Sequence, residues 1–153
     1  MPRASKHAGL ICLILTLVVV AGAVCGYFLE RPVILAFALL PAAFYELYRT
    51  EGRSTRICSV LLAVLLIAEI VVVLGSISFD LPAYLRDAGV STSLPQGLLT
   101  LRNALAALAA LVCIPLFANS RGVYTRWLAV DGFVGSVALL YLLAPEEIAA
   151  LLR

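Results

Sequence analysis

The 153 residues are 63% hydrophobic and only 13% charged, against about 25% charged in an ordinary soluble domain. Too little polar surface exists to cover a water-exposed globule, so the chain reads as an all-α integral membrane protein. A net charge of +2, with no Lys/Arg tract interleaved with aromatics, argues against nucleic acid as a partner and for the lipid bilayer.

A membrane-crossing helix takes about 20 apolar residues, and five such segments joined by short loops use nearly all of the chain. The first is predicted over residues 8–29, after the basic stretch Met1-Pro2-Arg3-Ala4-Ser5-Lys6-His7. The second, residues 32–48, opens on Glu30-Arg31-Pro32, where proline suits a first helical turn whose N–H has no partner anyway. Segments one and two therefore form a tight hairpin. The third is predicted over 57–79, with Ser54 or Thr55 as its cap. The longer connection 80–97 contains Pro82, Gly89, Pro95 and Gly97, which prevent one continuous helix; within it, Leu81 to Asp87 suggests a short interfacial helix. Segments four and five cover 98–118 and 122–144, and residues 145–153 form a short amphipathic helix with Glu146 and Glu147 at its positive end. No internal repeat relates the segments.

Basic residues in short loops set orientation. Placing the N-terminus inside puts Arg3, Lys6, Arg49, Arg53, Arg56, Arg121 and Arg126 on the cytoplasmic side and Arg31, Arg86, Arg102 and Arg153 outside, seven against four. The expected location is thus the cell membrane, N-terminus inside and C-terminus outside. Ala21-Gly22-Ala23 in the first segment resembles a signal-peptidase site. Cleavage there would leave four spans in the same orientation, but the apolar run continues past it, which favours a retained helix.

Cys12, Cys25, Cys58 and Cys113 are scattered, without paired or metal-ligand spacing, and read as small apolar packing residues. His7, the single histidine, lies in the basic N-terminal stretch, so no haem or histidine-based metal site is expected. Neither a catalytic set nor a cofactor motif is found.

Ionisable groups at membrane depth are expensive and raise a functional hypothesis. Glu69 lies about 12 residues into segment three, or about 18 Å along the helix. Asp131 lies about 9 residues into segment five, or about 14 Å, so the two acids are expected to share a layer. Arg102, one turn into segment four, is placed to reach toward Glu69, with Asn103 beside it as an amide clasp between helices. These four residues are candidates for an ion- or proton-binding site. Glu46, near the end of segment two, is read as interfacial, in an aromatic belt with Tyr45 and Tyr48 and paired locally with Arg49.

Small residues at spacing four, Gly22/Gly26, Ala106/Ala110 and Gly132/Ser136, mark faces for close helix packing, and Pro41 and Pro115 are expected to kink their helices. Tyr27, Phe28, Phe79, Tyr84, Tyr124, Trp127 and Tyr141 form the anchoring belt. The expected role is a non-enzymatic accessory or interaction subunit, packed as a homo-oligomer or in a larger membrane complex. The alternative is a small proton- or cation-coupled transporter or channel using the mid-membrane carboxylates.

Overall fold

Helix follows helix along the whole described chain, because each apolar segment entering lipid must satisfy its backbone polar groups internally. The computed structural model describes residues 7–50, 52–77, 84, 87, 89 and 100–151. Its helices are α1 (Ala8–Phe28), α2 (Pro32–Arg49), α3 (Arg53–Leu74), α4 (Leu101–Asn119), α5 (Val123–Leu143) and the short α6 (Pro145–Leu151). The first five are long and apolar enough to cross a membrane, and no strand occurs among the described residues. The protein is a membrane-spanning helical bundle.

Neighbouring helices alternate in direction. The start of α1, the α2–α3 turn and the α4–α5 turn share one end of the bundle, called here the arginine end; the α1–α2 turn lies at the opposite, hairpin end. Helices α2, α3, α4 and α5 contact in a closed ring, α5 returning to α2, and α1 lies in the groove between α2 and α5.

The expected hairpin between α1 and α2 is made by a Schellman turn, which satisfies the last carbonyls of α1. Arg31 N–H donates to Gly26 O at 3.0 Å and Glu30 N–H to Tyr27 O at 3.3 Å, with Glu30 in the left-handed region at φ 53°. Pro32 then starts α2 directly. The same device ends α3, where Ile77 N–H donates to Val72 O at 3.1 Å and Ser76 sits at φ 49°.

Helix α3 departs from its predicted span. It begins at Arg53, four residues before Ile57, and neither Ser54 nor Thr55 is its cap; that position belongs to Gly52 at φ 120°. Ser54, Thr55 and Arg56 are helical because long arginine side chains reach water from the first turn, while the Thr55 hydroxyl donates back to Gly52 O at 3.2 Å. Helix α4 starts at Leu101, capped by Thr100, whose hydroxyl oxygen accepts from Asn103 N–H at 3.4 Å. Both α2 and α4 run through their prolines as helix. The predicted interfacial helix at 81–87 and most of the connection 80–97 lie outside the described residues.

Close packing follows the small residues. A Cβ on Gly22 would overlap Ala38 Cβ, one on Gly26 would meet Leu142 and Arg31 O, and one on Gly132 would lie 3.1 Å from Cys113 Sγ. Gly135 receives the Leu39 side chain of α2. Cys12 and Cys113 are buried in the apolar core as expected, and all four cysteines are free.

Candidate functional site

Three buried acids, on three helices, occupy three depths. Counting from the arginine end at 1.5 Å per residue, Glu46 lies about 5 Å along α2, Asp131 about 12 Å along α5 and Glu69 about 24 Å along α3. Gly132 faces Leu62, which fixes the relative level of α5 and α3 and leaves Glu69 two turns beyond Asp131. The acids therefore do not share a layer. The expectation failed because the four additional residues at the start of α3 displace everything after them by about 6 Å.

Asp131, 9% exposed, faces α1. Its Oδ2 accepts the Thr16 hydroxyl at 2.6 Å, and the Trp127 indole N–H donates to Thr16 Oγ1 at 3.0 Å. Thr16 Oγ1 also lies 2.9 Å from Cys12 O, so two acceptors share one hydroxyl proton. The result is a polar clasp binding α1 to α5. Trp127, expected only as a belt residue, is one of its three members. Arg126 is engaged elsewhere, its Nε donating to Ser120 O at 3.1 Å and its guanidinium lying over Phe117.

Glu46 is a turn from the helix end, as expected, and it points into the bundle, 1% exposed. Thr50 Oγ1 lies 3.2 Å from Glu46 Oε1, 2.6 Å from Glu46 O and 3.1 Å from Ser59 Oγ. This chain of hydroxyls ties α2 to α3. Arg49 is not its hydrogen-bonded partner: Arg49 Nη1 donates to Tyr45 OH at 3.4 Å, and the guanidinium lies over the Tyr45 and Tyr124 rings at 5.9 and 5.3 Å. Cation–π contact with two tyrosines holds the guanidinium, and Arg49 acts on Glu46 through space rather than by a direct hydrogen bond.

Near the hairpin end, Glu69 is 1% exposed, and neither carboxylate oxygen has a hydrogen-bond partner among the described residues. Arg102, exposed in the first turn of α4, acts on it through space. Buried Asn103 lies next to Arg102 on the same helix. The structure thus gathers Glu69, Arg102 and Asn103 at one end of the α3–α4 pair and leaves Asp131 apart. Glu46 Oε2 and Ser136 Oγ are likewise buried without a hydrogen-bond partner among the described residues.

Sequence reasoning passed over Thr16, Thr50 and Ser59. Thr16 did carry a signal, being the only Ser or Thr in the first apolar segment; a hydroxyl in hydrocarbon seeks a partner across helices. Among the described residues no group of three His, Cys, Asp or Glu side chains is arranged to hold a metal. The chain matches no protein-family model, no curated protein and no solved structure.

Proposed function

We propose that the protein is a non-enzymatic multi-pass subunit of the cell membrane, N-terminus inside and C-terminus outside, acting through helix packing with further copies or with a larger complex. The observation that supports this reading is the layered interior. Buried Leu62, Leu66, Ala63 and Cys113 fill the space between the levels of the three acids, and Asp131 Oδ2 is bonded to Thr16 of α1. Asp131 and Glu46, bonded across helices to Thr16 and through Thr50 to Ser59, join helices, and the apolar layers between the acids do not line a continuous path. Only 28% to 39% of each span is buried within the chain, which leaves broad apolar faces for lipid and for partner helices.

A second reading, proton or cation coupling, is favoured by Glu69 alone. A buried carboxylate without partners carries a desolvation cost that a bound proton or cation would relieve.

Flux through proteoliposomes separates the two. Wild type, Glu69→Gln and Asp131→Asn are assayed for proton and cation movement, with folding of each checked in detergent. The packing role predicts no flux in any of them, with the variants differing only in stability. Wild-type flux that vanishes in folded Glu69→Gln would establish the transport reading instead.

A further inference from the structure

Two adjoining cavities open at the arginine end. The first, about 640 Å³, lies between the α2–α3 and α4–α5 turns, and its walls include Arg49, Arg53 and Arg121. The second, about 850 Å³, shares Thr50, Gly52 and Arg53 with the first and runs along α3 past Arg56 to Ile57, Val60, Leu61 and Val64. One is polar and basic; the other is an apolar groove with arginines at its mouth.

The basic cavity has the donors an anion needs. The Arg53, Arg56 and Arg121 side chains are exposed and have no hydrogen-bond or ion-pair partner among the described residues, while the Tyr45 and Tyr124 rings hold Arg49 at the wall. Helices α3 and α5 both begin here, on Gly52 and Gly122, neither of which has a side chain to cap the helix. Their first-turn N–H groups and dipoles add to the attraction for negative charge. Glu51 is the single acid in the two turns, against the three wall arginines and Arg56. Guanidinium forks match phosphate oxygens in shape as well as charge.

The groove identifies what carries the phosphate. Ile57, Val60, Leu61 and Val64 are 44% to 60% exposed and descend α3 directly below Arg53 and Arg56. We propose that this end of the protein binds one anionic glycerophospholipid, its phosphate headgroup among Arg53, Arg56, Arg121 and the two helix starts and one acyl chain along the α3 groove. A headgroup without a tail would leave the groove unused, and a zwitterionic headgroup would place its own cation among the arginines.

The test uses the full chain in maltoside detergent, titrated separately with phosphatidylglycerol, phosphatidylcholine and inorganic phosphate, with thermal unfolding and native mass spectrometry as readouts. Phosphatidylglycerol is expected to raise the unfolding midpoint and to bind at one per chain; the other two are expected to do neither at matched concentration. Arg53→Gln combined with Arg121→Gln should weaken phosphatidylglycerol at least tenfold. Arg31→Gln, at the hairpin end, should leave it unchanged. Equal binding of phosphatidylcholine, or unaltered affinity in the double variant, would overturn the proposal. Equal protection by inorganic phosphate would overturn the lipid assignment in favour of a soluble anion.

Discussion

Thr16 shows how much one hydroxyl decides in a membrane interior. It is the sole side chain of α1 bonded to Asp131 among the described residues, and it also receives the Trp127 indole. Inter-helix hydrogen bonds in membranes contribute about 0.6 kcal/mol on average and up to about 1.7. Thr16→Val keeps the shape and removes the bond, so it should destabilise the detergent-solubilised protein by about 1 kcal/mol. Trp127 is the only tryptophan, and its emission should move to shorter wavelength in that variant as the excited indole N–H loses its acceptor. Asp131→Asn retains an oxygen facing Thr16 and should leave the emission near its wild-type position; unaltered stability and emission in Thr16→Val would remove the clasp from the account.

Helix pairs are set by where backbones approach closely. Gly22 lies against Ala38, so Gly22→Ala forces α1 away from α2; overpacking of this kind costs typically 1–3 kcal/mol. Adding Ala38→Gly removes the opposing methyl, and the double variant should unfold at a higher temperature than Gly22→Ala alone. A double variant no better than the single would place the α1–α2 contact elsewhere. Helix ends offer the opposite change. Glu30 and Ser76 occupy left-handed positions at the close of α1 and α3, where a Cβ costs roughly 1–2 kcal/mol that glycine avoids. Glu30→Gly and Ser76→Gly should each raise stability by about 1 kcal/mol, read as a higher midpoint of thermal unfolding.

At the scale of the whole molecule the arginines define one end of the bundle. The α2–α3 and α4–α5 turns, with the residues flanking them, supply Arg49, Arg53, Arg56, Arg121 and Arg126, and the structure brings both turns to the same side. The positive-inside rule then predicts that a reporter active only in an oxidising, external compartment works when fused after Arg153 and fails when inserted at Arg121. The reverse pattern would invert the orientation and place the arginine cavity in the outer leaflet.

Five spans, their order and the packing glycines at 22, 26 and 132 were legible in the sequence, because hydropathy and small-residue spacing are local quantities. Lipid solvation forces each apolar run into helix whatever its neighbours are. The start of α3 was less legible, since Arg53 to Arg56 are polar enough for a loop, and continuation of helix into the interface depends on arginine side chains reaching water. The partners of the acids were beyond sequence reasoning for a different reason. Which side chain meets Asp131, Glu46 or Glu69 depends on the rotation of each helix about its axis and on its sliding along its neighbours. Close contacts constrain those two degrees of freedom pair by pair: Leu39 in Gly135 for α2 and α5, Ala38 against Gly22 for α1 and α2, and Leu62 and Cys113 against Gly132 for α3, α4 and α5. Sequence alone therefore determined that this chain is a five-span helical membrane protein with costly acids inside. Only the tertiary structure decided that those acids lie at three separate depths, one clasped by Thr16, one tied to Thr50, and one left without a hydrogen-bond partner among the described residues.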